Sequence, residues 1–356
     1  MILTPISLED LLGHANRTWL GLISILFATD SLALCLTSIP NERIINECIV
    51  GSLDGALLSE AEYQAIEMRL QRSGNMLDGV GTDDYPSSFN YSILPTVSWD
   101  PNVNGGNPSK PLTVGAITFV GDPSLYAKSG WLAGVSTSIV GRAVVGQQKY
   151  IEFSAYNSLS KSPNYGVTVY SQNYTLCGRF QVVGSVFIDH CNGYISSSKA
   201  HGDVDSYSSS QKLLRTFPLL GGHAEAAFMT TSTKSKGVTV DQNLLSFSFS
   251  NSAGMYYNVT AFKKLSQQQE KTPSSTGQSA AIYSRIWDRN VHLKVGTEAF
   301  ESQQFLGSTL TNKTLFTELG VEVLSGASAK LILTDQLSSI NYFSSSSAAL
   351  SFQMLM

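Results

Sequence analysis

From Ser88 onward the chain alternates apolar and polar residues with a period of two, and it keeps that habit to its last residue. Successive side chains of an extended strand point to opposite faces, so the pattern specifies strands with one apolar face and one polar face. Phe89, Tyr91, Ile93, Pro95, Val97 and Trp99 alternate with Asn90, Ser92, Leu94, Thr96, Ser98 and Asp100. The same reading recurs at Ile151, Phe153 and Ala155, at Leu245, Phe247 and Phe249, at Val291, Leu293 and Val295, and at Leu319, Val321 and Val323. Roughly a dozen such segments can be marked, each about ten residues long, which is the length a tilted strand needs to cross a bilayer.

What occupies the second face separates two architectures. A soluble β-sandwich turns its apolar face inward and tends to carry charge outside. Here the second face is mostly Ser, Thr, Gly, Asn and Tyr, and charged residues make up only 14% of the chain, against about 25% in ordinary soluble proteins. A bilayer requires every backbone polar group to be bonded within the protein, which closes strands into a ring with apolar positions toward lipid and a polar lumen. The expectation is therefore an all-β fold, an antiparallel transmembrane β-barrel of roughly twelve to fourteen strands with a short N-terminal helical leader. A secreted β-sandwich adhesin or surface-binding protein is the alternative. Trp99, Tyr126, Trp131, Tyr150, Tyr174, Tyr194 and Tyr342 fall near strand ends, where interfacial girdles of aromatics form. Turn residues such as Gly121-Asp122-Pro123 and Gly146-Gln147-Gln148 separate the strands, and Ser196 to Ser210 and Ser266 to Gln278 read as longer polar loops.

Ahead of this region the composition changes. Trp19 to Leu36 is the most apolar stretch, with Arg17 before it and the small residue Ala33 near its end. A charged start, an apolar middle and a small residue are the parts of a cleavable export signal. Asp30 interrupts the run and disfavours a membrane anchor. Residues 36 to 75 are helical in pattern: Ser59 and Glu62 have capping-box spacing, and Leu58, Ala61, Ala65 and Met68 repeat at three to four, so one short helix is expected. The chain divides into a signal peptide over 1–33, a short helical periplasmic leader or plug over 34–86, and an outer-membrane β-barrel over 87–356. Four cysteines form two close pairs, Cys35 with Cys48 and Cys177 with Cys191. Export permits two disulfides; four cysteines allow three connectivities, with the local pairing preferred.

The two ends of the β region resemble known barrels. Leu350, Phe352, Met354 and Met356 share one face with Ser351 and Gln353 between them. This resembles the closing strand of bacterial outer-membrane barrels, with Met356 where a terminal aromatic is usual. Val97-Ser98-Trp99-Asp100-Pro101-Asn102-Val103-Asn104-Gly105-Gly106 is similar to the first strand and D-x-N-x-N turn of the surface lipoprotein assembly modifiers. The helical repeats of such proteins are not in this sequence. The resemblance implies a location in the bacterial outer membrane, contact with outer-membrane lipids and the barrel assembly machinery, and closure by pairing Phe89 to Trp99 with Ala348 to Met356.

Spacings that carry chemistry are missing. Five histidines are scattered without an H-x-x-x-H or HExxH pair, and there is no GxSxG, Walker loop or GxGxxG ahead of a helix. Asp189-His190-Cys191 is a local cluster, but a strand points His190 away from both neighbours. Asp83-Asp84, Asp203 and Asp205 lack the ligand spacing of a calcium loop. No catalytic, cofactor-binding or metal-ligating residue is assigned, and the chain is not read as an enzyme. A net charge of -4 without a Lys/Arg cluster excludes nucleic acid as a partner. The expected function is passage of a solute or exported substrate through the barrel as a channel or export and surface-assembly barrel. Glu152, Arg285, Lys294, Glu298, Glu318 and Glu322 are the lumen-facing charges by their position in the alternation.

Overall fold

The computed structural model describes residues 41–53, 60–72, 87–108, 111–114, 117–200, 202–251, 254–268, 273–287, 289–305, 308–324 and 327–354. The expected signal peptide lies outside them. Among the described residues two helices precede the sheet, α1 (Glu42–Leu53) and α2 (Glu60–Arg72). The single helix expected is thus two; Ser59 of the capping box lies outside the described residues.

Among the described residues fourteen strands form one closed antiparallel barrel. They are β1 (Ser87–Asp100), β2 (Gly130–Gly146), β3 (Lys149–Lys161), β4 (Thr168–Val183), β5 (Val186–Lys199), β6 (Gly202–Leu219), β7 (Gly222–Ser235), β8 (Val238–Ser250), β9 (Tyr256–Ser266), β10 (Ser275–Ile286), β11 (Arg289–Phe300), β12 (Asn312–Leu324), β13 (Ala327–Ser338) and β14 (Ser345–Met354). Each pairs with its sequence neighbours, and β1 pairs with β14 to shut the ring. The seam runs from Thr96 opposite Gln353 to Trp99 opposite Leu350, within the two segments expected to meet. A single closed sheet is not a sandwich, so the sandwich alternative falls.

Alternation maps onto the wall as the period of two demands. On β1 the odd positions Phe89, Tyr91, Ile93 and Val97 are exposed, while Leu94 on the other parity is buried. Cross-strand pairing carries the exposed row onward: Phe153 on β3 lies opposite Leu176, Leu245 on β8 opposite Phe228 and Ala261, and Leu319 on β12 opposite Leu293 and Leu331. Trp99 and Trp131 are directly paired on this face with ring centroids 5.4 Å apart. Tyr150 departs from the girdle expectation. It lies between Lys149 and Ile151, so the parity that turns Ile151 outward turns Tyr150 into the lumen, where it is buried.

Connections at one end are short: Gly146 to Lys149, Val183 to Val186, Leu219 to Gly222 and Ile286 to Arg289. The opposite end carries the long segments after Asp100 and Phe300, each with a small hairpin, Leu112–Val114 with Ile117–Phe119 and Gln303–Phe305 with Ser308–Leu310. The segregation is incomplete, because the loop end also holds the tight turn between Ser235 and Val238. There Lys236 and Gly237 both have positive φ, as a two-residue turn matching the strand twist requires.

The serine-rich stretch expected to be a loop is mostly strand. Ser196 to Lys199 completes β5, and Gly202 to Ser210 opens β6, paired without interruption from Ser196–Asp205 to Cys191–Ser210. Ser275 to Gln278 likewise begins β10 and pairs with Lys264 to Ala261. Serine looks like loop in a soluble protein, but in a barrel the ladder supplies the backbone bonds and the lumen accepts a hydroxyl.

Candidate functional site

The lumen is narrowed at its tight-turn end by α1. Asn41 caps that helix: its side-chain oxygen accepts from the backbone N–H groups of Arg43 at 3.1 Å and Ile44 at 3.2 Å. On one side of α1, Ile44, Ile45 and Ile49 pack with Ile66 and Leu70 of α2 and with Tyr256 of β9. This apolar seat is the largest buried cluster among the described residues.

The polar side of α1 meets the inner wall. Arg142 of β2 donates to both carboxylate oxygens of Glu42, at 2.6 and 2.9 Å, and its Nε donates to Glu152 of β3 at 3.0 Å. Arg179 of β4 reaches the other oxygen of Glu152 at 3.0 Å. Arg43 pairs with Asp189 of β5 and lies 5.1 Å over the ring of Phe187. The hydroxyl of Thr216 on β6 donates to Glu47 at 3.1 Å. Arg142 also lies 4.3 Å over Tyr150, so the buried tyrosine serves as a platform for the guanidinium. A planar guanidinium with five donors suits such a junction, because it can hold two carboxylates at once. Cys177 and Cys191 are directly opposed on β4 and β5 and disulfide-bonded, also on the inner face. Cys48 of α1 is disulfide-bonded as well; Cys35, its expected partner, lies outside the described residues.

Beside α1 a cavity of about 580 Å³ remains, lined in part by Arg142, Arg179, Lys212, Asn258 and Tyr283. Its ionic groups are matched. Lys212 donates to Glu225 at 2.9 Å, leaving that carboxylate 2% exposed. On the far wall His292 and Lys330 converge on Glu318 at 3.0 and 2.9 Å, and Tyr283 stacks on His292 at 5.3 Å. The ring of His292 lies flat over Gly320, where an added Cβ would sit 2.0 Å from the imidazole.

The charges expected from the sequence all fall on the lumen parity. Glu152 and Glu318 join the networks above. Glu298 accepts from Lys264 at 2.8 Å and from Ser275 at 2.6 Å, and Glu322 from the Asn290 amide at 2.7 Å. Lys294 lies 5.6 Å over Phe316, and Arg285 is in register with Asn290. They do not form one site. Of the groups that hold α1, Arg142 and the helix's own Glu42 and Arg43 are not among those named from sequence, and Asp189 is named there only within the Asp189-His190-Cys191 cluster; a lone charge on the polar parity of a strand was the available signal. His190, between Asp189 and Cys191, points outward. Among the described residues no three His, Cys, Asp or Glu side chains converge to hold a metal.

The D-x-N-x-N segment builds the turn that leaves β1. Asp100 accepts from the Asn102 N–H at 2.7 Å, and Asn102 both accepts from Gly106 N–H at 2.8 Å and donates to its carbonyl at 2.9 Å. Asn104 donates to the Tyr126 carbonyl and accepts from the Lys128 N–H, each at 2.8 Å. Lys199 bonds Asp100 at 2.8 Å and thereby ties this turn to β5 across the barrel mouth.

No protein-family profile matches the chain, and no curated protein matches it. Solved structures similar to it include a variant of OccD1 (OprD), 8% identical with a TM-score of 0.42 over 76% of this chain and 95% of that one. A BenF-like porin from Pseudomonas fluorescens Pf-5 is 7% identical with a TM-score of 0.40 over 76% of this chain and 98% of that one. OccAB1 of Acinetobacter baumannii is 7% identical with a TM-score of 0.41 over 75% and 96%.

Proposed function

We propose that this chain is a bacterial outer-membrane β-barrel that conducts small polar solutes without covalent chemistry, and that α1 with α2 is a plug at the periplasmic, tight-turn end. The observation that carries the reading is the two-sided wall: a closed ladder with exposed Phe89, Ile93, Phe153, Leu245 and Leu319 outside and serine, threonine, amide and ion-paired side chains inside. Only a bilayer makes that arrangement stable, because the outer row is solvated by acyl chains and every backbone group inside the span is bonded. Outer-membrane lipids and the barrel assembly machinery are then its partners. The matched charges of the lumen favour neutral or zwitterionic polar solutes over strongly charged ones.

Purified protein in planar bilayers tests this. Small conductance steps are expected from the intact chain and larger ones once residues 41–72 are removed. No conductance from either form, in protein shown to be folded and inserted, sinks the channel reading.

A second reading, an export or surface-assembly barrel, is favoured by the bonded turn from Asp100 to Gly106, whose sequence resembles that of the surface lipoprotein assembly modifiers. Its signature is a substrate protein trapped by cross-linking from Asn104 during secretion, with no solute flux through the barrel.

A further inference from the structure

One sector of the inner wall, from β9 to β12, is paved with rings. Tyr256, Tyr283, His292 and Gly320 stand directly opposite one another on these four strands, all on the lumen parity. Phe262 of β9 likewise faces Gly277 of β10, and Phe316 of β12 faces Gly296 of β11. Each glycine is overlain by its neighbour's ring: an added Cβ would sit 2.3 Å from Phe262 at Gly277, 2.4 Å from Phe316 at Gly296 and 2.0 Å from His292 at Gly320. A ring lies down along a wall where the next strand has no side chain to prop it up. Glycines on three successive strands therefore keep these rings against the wall instead of across the pore.

Of the rings, Tyr256 and Tyr283 border the cavity of about 580 Å³ beside α1. Tyr283 is half-buried, backed by His292 at 5.3 Å and set edge-to-face with Tyr256 at 5.5 Å. The ionic groups around the same cavity balance, since Arg43, Arg142, Arg179 and Lys212 are met by Glu42, Glu152, Asp189 and Glu225. A neutral ion pair still has bonding capacity to spare, because an ammonium has three donors and a carboxylate about four lone-pair sites. Asn258, two residues from Tyr256, adds an amide to this lining.

We infer that the cavity binds a neutral saccharide, with one face of a pyranose stacked on Tyr283 and its hydroxyls bonded to the ion pairs and Asn258. The inference names the solute class of the channel reading above and rests on it. A pyranose has both properties the cavity asks for: C–H groups that make an apolar face, and hydroxyls around its edge. An aromatic hydrocarbon would cover the tyrosine but strip the charged groups of water and return no hydrogen bonds. An open-chain polyol would bond those groups but has no flat face, and a charged solute finds no net countercharge. The cavity volume lies in the range of small-molecule sites. Farther toward the loops Phe316 and Phe262, with Lys294 and Lys264 5.6 and 5.0 Å over them, repeat the pairing of ring and donor along the way in.

The test uses the full chain, purified in detergent and titrated with cellobiose by calorimetry, beside Tyr283→Leu and Tyr283→Phe variants, with sorbitol and phenol as comparison solutes. Cellobiose is expected to bind, and sorbitol and phenol are not. Tyr283→Leu should bind it about tenfold more weakly, the size of effect a lost aromatic contact gives, with heat-modifiable gel mobility unchanged to show that its barrel is folded. Tyr283→Phe keeps the ring and should bind as the unaltered protein does. No binding of cellobiose, equal binding of sorbitol, phenol bound in its place, or full affinity in the leucine variant each overturns the proposal. The same preparation in planar bilayers separates the two readings. Conductance without cellobiose binding removes the saccharide site alone, and no conductance from inserted protein removes the channel reading beneath it.

Discussion

The inner wall is built in two styles. Near the tight turns it presents Arg142, Glu152, Arg179, Asp189, Lys212 and Glu225, and these side chains meet α1 or one another. Farther toward the loops β3, β4, β6 and β7 present Ser158, Ser171, Ser208 and Thr231, with the Lys264–Glu298 and Lys199–Asp100 pairs as ionic exceptions. The difference is one of tenancy. Charge is concentrated where a helix must be held in place in a polar channel, and the hydroxyl-lined half is left for whatever passes through. An ion pair is worth little when water can screen it and more when a second element shields it, so the charged half derives its strength from α1 being there.

Removing α1 and α2 should break the contrast most severely, raising single-channel conductance several-fold in planar bilayers while the barrel stays folded. Arg43→Asp should open the channel less and more intermittently, and Asp189→Arg added to it should restore the closed behaviour. Failure of the charge swap to restore it makes Arg43 and Asp189 incidental neighbours. Glu318→Gln is expected to shift the ratio of cation to anion permeability toward anions, read from the reversal potential in a salt gradient, because Lys330 and His292 lose their shared carboxylate. Gly320→Ala sharpens the comparison more finely: the imidazole must move off the wall, at a cost of about 1–3 kcal/mol typical of overpacking, lowering the denaturant midpoint with little change in conductance. The smallest effect on flux is expected from Cys177→Ser with Cys191→Ser. The bridge closes a separation of 14 residues, worth about 3 kcal/mol on chain-entropy grounds, yet the strands it joins are already zipped, so stability falls and the current trace does not change.

Much of the wall was legible in the residues themselves. Phe89 to Trp99 and Leu350 to Phe352 read correctly as the first and last strands because a period of two survives translation into structure without tertiary help. Ser196 to Ser210 was not legible, since a serine run carries no periodic contrast and only the neighbouring strands reveal its register. The lumen parity of Glu298 and Glu318 followed from alternation. That Arg142 grips Glu42, one hundred residues earlier in the chain, depends on the curvature of the whole ring and leaves no local trace. Tyr150 illustrates the remaining limit: an aromatic near a strand end suggests a girdle, and one step of parity makes it a cushion for a guanidinium instead.

The seam between β1 and β14 fixes an order of events. Among the described residues its register spans Thr96 to Trp99 on β1, while β1 pairs with β2 from Ser87 to Asp100. The short junction joins the strands farthest apart along the chain, so it is the contact with the greatest loop-closure penalty and the fewest bonds to offset it. Thirteen hairpin-type neighbours can assemble progressively, each templated by the last, but the cylinder exists only after β14 arrives. Until then both rims are unsatisfied strand edges, the most adhesive surfaces a β protein can display. Synthesis can therefore finish well before shape does, and the interval between the two is when this chain most needs to be chaperoned.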